Sequence, residues 1–237
     1  MVLAASVKGL LEWLRMVTPD LPVPLKVISV VLNVLCFSFF AGGPFSQNLV
    51  LFCLWVMIPL SLFLFASHEL RKQAAELIGK LALGFLYICL PLGLLIVMDR
   101  HPRGNLWILF LLTVIFIGDT GAFYCGRSFG KRKLHPSVSP NKTWAGAFGG
   151  FFSSIASGLV FSYLFRLGGF PLQAAVLAGC LSVCGQIGDL VESMIKRNAG
   201  VKDSGRILPG HGGMLDRVDG LLFSIPLLYL HLSWFTV

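Results

Sequence analysis

The chain contains seven runs of mostly apolar residues, each close to the length that one helix needs to cross a bilayer. They lie at roughly 24–43, 48–66, 80–98, 105–125, 146–165, 172–190 and 220–236. A transmembrane helix needs about 20 such residues, whereas the strands of a membrane barrel alternate apolar and polar positions. The runs are continuous, and 56% of the chain is hydrophobic while only 13% is charged. We therefore expect an all-α integral membrane protein, a polytopic bundle of about seven transmembrane helices.

The basic residues are distributed unequally among the segments that connect these runs. Sixteen of the nineteen lysines and arginines lie in residues 1–26, 67–80, 126–145 and 191–219. Because loops rich in Lys and Arg stay in the cytoplasm, we expect the N-terminus and these loops to be inside, in a bacterial-type inner (plasma) membrane. Positive charge dispersed between spans argues against nucleic-acid binding. It suits anionic lipid or phosphate at the cytoplasmic face.

The N-terminal segment has a different pattern from the spans. Apolar residues recur at helical spacing over residues 3–14, and charged residues interrupt the stretch. This pattern is typical of an amphipathic helix at a membrane interface rather than of a signal peptide. The chain is therefore expected to divide into residues 1–104, with the interfacial helix and the first three spans, and a catalytic region at 105–237. The catalytic region would carry two cytoplasmic active-site loops, 126–145 and 191–219.

The first loop follows the fourth apolar run. Asp119 lies at the end of that run, where a carboxylate is costly unless it is paired or faces a polar cavity. We expect Asp119 to be functional, with a structural pair to Arg127 as the alternative. Lys131 to Lys133 suit either a positive anchor or a phosphate contact. The segment 139–143 is expected to form a turn before a Gly-rich helix start, and such turns present donors to phosphate. Its candidate ligands are Ser139, Asn141, Lys142 and Thr143.

The second loop begins on the helix of the sixth apolar run. Polar residues there recur at i, i+3, i+4, i+7 and i+8, and they therefore share one helix face. They are Asp189, Glu192, Ser193, Lys196 and Arg197. The two carboxylates suit a cation and the two basic residues suit phosphates. The alternative is a solvated, salt-bridged face, because Glu192 and Lys196 are an i,i+4 pair.

The remainder of the second loop is rich in glycine, which lets the backbone approach a ligand closely. His211 has three glycines as near neighbours, and we expect it to contact a ligand. Asp216 and Asp219 close the loop as the last apolar run begins. Together with Asp189 they allow acidic residues of two helices to converge on one metal ion.

Taken together, these motifs resemble the phosphatidate cytidylyltransferase (CDP-diacylglycerol synthase) family. The family's C-terminal signature is matched at Ser193, Lys196, Arg197, Lys202, Asp203, Gly205, Pro209, His211 to Gly213, Asp216, Arg217 and Asp219. The segments 118–127 and 139–143 fit as well, and the resemblance covers roughly residues 105–220. One departure is Ala145, at a position where the family often has Glu.

The resemblance implies a reaction of CTP with phosphatidate that yields CDP-diacylglycerol and pyrophosphate, with Mg²⁺ and with the number of cations left open. The phosphatidate phosphate would attack the α-phosphorus of CTP in line, while its acyl chains stay in the membrane lipid. Asp189 and Asp216 are the expected metal ligands, with Glu192 and Asp219 as further choices. Phosphate clamps would be Lys196, Arg197, Lys202 and Arg217, with Asp203 orienting Lys202 and His211 donating to the leaving pyrophosphate.

Other classes of function stay open. A CTP-dependent polyprenol or lipid kinase would release CDP instead of pyrophosphate. A cation-coupled transporter would use Asp119 and Asp189 along its pathway. An inactive structural protein is indicated only by Ala145. Small residues near position 149 permit close helix packing, either within one chain or between the two copies of a homodimer.

Overall fold

Helices dominate the structure. The computed structural model describes residues 1–42, 57, 61, 71–167, 170–205 and 212–235. Its helices are α1 (Val2–Val17), α2 (Val23–Gly42), α3 (Ala74–Asp99), α4 (Gly104–Phe129), α5 (Trp144–Phe165), α6 (Pro171–Asn198) and α7 (Leu215–Phe235). Within the described residues, sheet is limited to one hairpin, β1 (Lys133–His135) and β2 (Ser139–Thr143). The all-α expectation is confirmed.

Five helices, α2 to α6, are long and apolar enough to cross a membrane. Four of them begin within two residues of the expected position, but α3 begins at Ala74 rather than near residue 80. Its first two turns consist largely of good helix formers, and Glu76 and Lys80 form an i,i+4 ion pair at 2.6 Å. The apolar run at 220–236 forms most of α7, which is not among the five. The run at 48–66 lies outside the described residues except for positions 57 and 61.

The chain folds into two compact units that are not continuous in sequence. Unit 1 comprises residues 1–97 and 203–217, and unit 2 comprises residues 98–202 and 218–237. The expected domain boundary at residue 104 lies close to the first transition between the units. The return of residues 203–217 to the N-terminal unit was not indicated by any pattern in the sequence.

In unit 1, α1 packs against α2 and against α3, which contains a π-helical turn at Phe85–Cys89. Trp13 of α1 is fully buried, and its indole N–H donates to the carbonyl oxygen of Lys80 at 3.1 Å. The Ser6 hydroxyl donates to Asn33 Oδ1 at 3.0 Å. Buried indole and hydroxyl groups need such partners. Helix α1 is thus fixed within unit 1 by side-chain hydrogen bonds as well as by the packing of its apolar residues.

In unit 2, α4 and α5 pack closely because glycines line their contact. A Cβ atom at Gly149 would meet the side chain of Cys125, and one at Gly150 would lie 3.0 Å from the carbonyl oxygen of Gly118. Small residues permit this close approach of two helix backbones. Both glycines therefore serve helix packing within one chain, which was one of the two alternatives for this stretch.

We expect Gly149→Ala to destabilise the protein by about 1–3 kcal/mol, because the added methyl group overpacks the α4–α5 contact. Unfolding in detergent micelles, followed by circular dichroism against SDS fraction or temperature, measures the change. Gly79→Ala is the matched control. No heavy atom of the described residues lies within 4 Å of a Cβ built at Gly79, and alanine there gains helix propensity. Equal stability losses in the two variants would contradict the packing role of Gly149.

Candidate active site

The β1–β2 hairpin carries the phosphate-ligand candidates of the first loop. Residues 139–143 form strand β2, with Lys133 opposite Thr143 and His135 opposite Ser139. The expected turn at 139–143 is therefore wrong, and the turn lies at residues 136–138. Ser139 precedes Pro140, which disfavours helical backbone and favours an extended strand. The segment keeps its candidate side chains but presents them from a strand.

Strand β2 runs directly into α5, so that Thr143 caps the helix. Its Oγ1 accepts a hydrogen bond from the backbone N–H of Gly146 at 3.1 Å, and the side chain is buried. Such a cap satisfies one of the donors at a helix start. The hydroxyl of Thr143 is thereby committed to holding the hairpin on α5, and Lys142 lies two residues before the first residue of that helix.

Unit 2 contains a cavity of about 760 Å³ between α4, the hairpin, α5 and α6. Its size is typical of a small-molecule site. The predicted residues that line it are Asp119, Asn141, Lys142, Thr143 and Asp189. The structure thus brings candidates of both loops to one place.

Three further polar residues line the cavity; in the sequence one was considered only as an ion-pair partner, one as an anchor or phosphate contact, and the third not at all. They are Arg127, Lys133 and Gln186. The amide of Gln186 donates to the carbonyl oxygen of Ala147 at 3.2 Å, which ties α6 to α5 beside the cavity. The available signal for Gln186 was a polar residue inside an apolar run, one turn before Asp189.

Lys142 and Asp189 form an ion pair on the cavity wall. Their side chains are 26% and 38% exposed, so that both remain accessible from the cavity. Asp119 lies close enough to both of them for electrostatic interaction. The alternative pair of Asp119 with Arg127 is not formed in the described part of the chain. Asp119 instead adds negative charge to the same wall as Asp189.

Further along α6, Glu192 and Lys196 form the anticipated i,i+4 ion pair at 2.5 Å. It is not a solvated pair, because the two side chains are only 1% and 13% exposed. A buried carboxylate that bonds an ammonium group is held in place by the cost of separating the charges. The Ser193 hydroxyl donates to Asp189 Oδ1 over a long 3.5 Å, and Arg197 is exposed.

Asp219 lies on α7 just before the apolar run at 220–236, and its Oδ1 accepts a hydrogen bond from the Gly220 N–H at 2.7 Å. Burial and the negative charge of Asp189 raise the pKa of Asp219 to about 7, against the opposing effects of that hydrogen bond, Lys196 and Lys142. Asp219 and Asp189 thus lie close enough to repel each other, and a cation placed between such carboxylates would be favoured.

No group of three or more His, Cys, Asp or Glu side chains in the described ranges is close enough to hold a metal ion. Mg²⁺ is usually bound by only one or two carboxylates, with water and substrate phosphates completing its octahedron. Carboxylate oxygens are the donors that this ion prefers. The residues of unit 2 thus fit a magnesium ion that arrives with a phosphate-bearing substrate.

Asp216 belongs to unit 1, where it holds the loop that precedes α7. Its Oδ2 accepts hydrogen bonds from the Ser204 N–H and hydroxyl, both at 2.9 Å, and from the Gly213 N–H at 2.7 Å. Asp189 belongs to unit 2, and the metal site expected to join it to Asp216 stays a prediction. The observed role of Asp216 is to close the loop on itself.

Glu12 of α1 was not recognised as a site residue. It is only 2% exposed, and its carboxylate accepts hydrogen bonds from the backbone N–H groups of Met214 and Leu215, both at 3.0 Å. The Ser204 hydroxyl is a third partner at 3.1 Å. The only signal in the sequence was a carboxylate on an otherwise amphipathic helix, which has an ordinary solvated explanation.

The remaining predicted residues lie elsewhere. Lys202, Asp203 and Arg217 are exposed, and His211 lies outside the described residues. Gly200 and Gly212 have φ angles of 70° and 76°, a backbone conformation that glycine adopts without strain. The glycine-rich character of the loop thus has a conformational cause at two of its positions.

Comparison with known proteins agrees with the resemblance found in the sequence and extends it along nearly the whole chain. The model of the Cytidylyltransferase family matches residues 1–235. A phosphatidate cytidylyltransferase of Brucella suis is 49% identical over 140 residues, covering 59% of this chain and 51% of that protein. One of Staphylococcus epidermidis is 47% identical over 137 residues, 58% of this chain and 53% of that protein. One of Bacillus subtilis is 36% identical over 202 residues, 84% of this chain and 73% of that protein. The chain spans about half the length of the first two.

Proposed function

This chain belongs to the cytidylyltransferase family, and from that premise we propose that it transfers the cytidylyl group of CTP to phosphatidate, giving CDP-diacylglycerol and pyrophosphate. Its main structural support is the cavity of unit 2, where Lys142 and Asp189 meet. The proposed substrates are inferred from the relatives, which are phosphatidate cytidylyltransferases. The cavity supplies a wall with both signs of charge, as a site for a nucleotide and its cation requires.

In the proposed reaction, an oxygen of the phosphatidate phosphate forms a bond to the α-phosphorus of CTP. The bond between that phosphorus and the bridging oxygen of the β-phosphate breaks, and pyrophosphate leaves with the electron pair. The nucleophile is already an anion, so no strong base is needed. Positioning and charge compensation are therefore the main tasks of the protein.

The basic residues of the cavity wall perform the compensation. Lys142, Lys133 and Arg127 carry positive charge into the space where the triphosphate would lie. Lys142 is held by Asp189, which fixes its ammonium group before the substrate arrives. A preorganised cation at the developing charge lowers the barrier without reorganisation cost. Ser139 and Asn141 would add neutral donors from the same strand.

Mg²⁺, when bound, would neutralise phosphate oxygens and stabilise the leaving pyrophosphate. Asp189 and Asp219 are the carboxylates of unit 2 best suited to hold it, because Asp189 lies on the cavity wall and the two interact electrostatically. Glu192 is less suited, since its side chain is only 1% exposed. Asp216 remains the other predicted ligand, and Asp119 would orient bound water or cation beside Asp189.

The loop residues beyond α6 would complete substrate binding. Lys196, Arg197, Lys202 and Arg217 would contact the triphosphate or the lipid phosphate, with Ser193 beside them. Asp203 would orient Lys202, and His211 would donate to the leaving pyrophosphate. These roles follow the family signature that the chain carries at those positions.

We further propose that the N-terminus and the basic loops face the cytoplasm of a bacterial-type inner membrane, with the acyl chains of phosphatidate remaining in lipid. The distribution of Lys and Arg supports this orientation. A Lys131→Cys variant in a cysteine-free background should react with an impermeant maleimide in inside-out vesicles only, and Arg166→Cys in right-side-out vesicles only. The reverse labelling would overturn the orientation.

The activity is tested with detergent-purified protein, phosphatidate, Mg²⁺ and CTP labelled on either the α- or the γ-phosphate. The α-label should enter the lipid, and the γ-label should leave as pyrophosphate. Entry of the γ-label into lipid would establish a kinase instead. If neither label moves while cation uptake into vesicles is measured, the protein is a transporter and the proposal fails.

Lys133→Met should raise the CTP concentration for half-maximal rate about tenfold, because it removes one cation from the cavity wall. Lys131→Met is the matched control. Lys131 is exposed in the same basic stretch but is not among the residues that line the cavity. Equal changes in the two variants would show that both lysines act only as topological anchors on the cytoplasmic side. An effect confined to Lys133 would assign that residue to phosphate binding.

A further inference from the structure

We propose that Glu12 is a positioning residue, whose buried carboxylate holds residues 204–205 and 213–216 in the conformation that the reaction requires. The catalytic consequence rests on the proposed function, because it acts through Asp216. The anchoring itself does not. Glu12 and the residues that it holds all belong to unit 1.

The carboxylate of Glu12 satisfies the start of α7. Oε1 accepts the Met214 N–H and Oε2 accepts the Leu215 N–H, both at 3.0 Å. The first N–H groups of a helix have no partner within that helix, and a negative charge at this end is favourable. A residue of the first helix thus supplies the N-terminal cap of the last one.

Glu12 is linked to Asp216 through a single side chain. The Ser204 hydroxyl lies 3.1 Å from Glu12 Oε2 and 2.9 Å from Asp216 Oδ2. A hydroxyl has one proton, so it donates to one carboxylate at a time. Asp216 also accepts the backbone N–H groups of Ser204 and Gly213. The two carboxylates therefore both bind Ser204 and the backbone just before α7.

The loop is fitted closely around Glu12. A Cβ atom at Gly205 would lie 2.6 Å from Glu12 Oε1, and one at Gly213 would lie 2.5 Å from Oε2. A side chain at Gly205 would displace the Glu12 carboxylate from these hydrogen bonds, and one at Gly213 would also meet the backbone nitrogen of Gly205 at 2.7 Å. Two glycines of the family signature are thus explained by their approach to a carboxylate that lies outside that signature.

Burying a carboxylate at this position costs free energy unless hydrogen bonds compensate for the lost hydration. Glu12 is buried, and an unpaired buried charge is strongly unfavourable. An apolar residue of similar size would fill the same space without that cost, as happens when buried ion pairs are replaced. The backbone donors of the loop account for the charge, and ordering that loop is what the charge accomplishes.

The first test compares Glu12→Gln with the matched control Glu76→Gln in the full chain. Glu76 is an exposed residue of α3, in an ion pair with Lys80. Hydrogen exchange in detergent micelles, without substrate or metal, should show the amides of residues 213–215 exchanging at least tenfold faster in Glu12→Gln only. Wild-type exchange rates in Glu12→Gln would overturn the anchoring role, whether or not the protein transfers cytidylyl groups.

The second test separates positioning from mere stability. In Glu12→Gln the Mg²⁺ concentration for half-maximal transfer should rise at least about tenfold, as for other residues that orient a metal ligand. The KM for phosphatidate should not change. Glu12→Asp, which keeps the charge, should recover part of the loss. A lower melting temperature with an unchanged Mg²⁺ dependence would reduce Glu12 to a structural role.

If Glu12→Gln does not fold, Ser204→Ala replaces it. This variant keeps both carboxylates and removes only the hydroxyl between them. Exchange at residues 213–215 should then rise about threefold, and the Mg²⁺ dependence should shift in the same direction. Exchange and Mg²⁺ dependence equal to those of the wild type would overturn the proposal.

Discussion

Asp189→Asn should reduce the turnover of CTP at least about a hundredfold while leaving CTP binding intact. The substitution keeps the shape of the side chain and removes the charge that holds Lys142 and would hold the cation. Loss of one such electrostatic group typically costs two to three orders of magnitude in rate. The freed ammonium group of Lys142 can still contact the triphosphate, so the effect should appear in kcat and not in affinity.

Release of labelled pyrophosphate from γ-labelled CTP measures the turnover, and equilibrium binding of CTP measures the affinity. Asp20→Asn is the matched control, because Asp20 is exposed on the segment after α1. It should behave as the wild type does. Wild-type turnover of Asp189→Asn at the same Mg²⁺ concentration would remove Asp189 from the site.

Lys142→Met should lower kcat/KM for CTP about thirtyfold to a hundredfold. The change removes a cation from the cavity and also leaves Asp189 without its partner, so that carboxylate then repels the triphosphate. Truncating one member of such a charge pair costs about 2–5 kcal/mol in binding equilibria. Steady-state kinetics over a range of CTP concentrations separates the KM effect, which should dominate, from the kcat effect.

The double variant Lys142→Met with Asp189→Asn shows whether the two residues act as one unit. Residues in direct contact give non-additive effects. The loss in kcat/KM of the double variant should be smaller than the product of the two single losses, because the repulsive carboxylate is gone. Effects that multiply would show that the ion pair is incidental to the reaction.

The sequence was sufficient to predict most of the helices and part of the site. Continuous apolar runs predict the starts of α2, α4, α5 and α6 to within two residues, since length and hydropathy alone decide whether a helix can cross a membrane. Lys142 was predicted from the polar segment before a Gly-rich helix start, and Asp189 from the polar face that it shares with Glu192. The sequence predicted that both residues lie on the same side of the membrane, but it did not predict that they contact each other.

Other features depend on contacts that leave no local pattern. Glu12 and Leu215 are joined by a hydrogen bond although they are 203 positions apart in the sequence, and no periodicity connects two such positions. The strand at 139–143 resembles a turn in composition, because Ser, Pro and Asn are all frequent in turns. Its partner strand β1 begins at Lys133, in a basic stretch that was interpreted only as a positive anchor or a phosphate contact.

The hydrogen bonds of Glu12 also impose an order on biosynthesis. Translation reaches Glu12 about 200 residues before it reaches Met214 and Leu215, and a ribosome adds about 5–20 residues per second. The time between synthesis of Glu12 and synthesis of its native donors is therefore roughly 10–40 s, during which every intervening helix is made. During that interval the charged group has none of its native hydrogen-bond donors, and unit 1 becomes complete only when residues 203–217 follow.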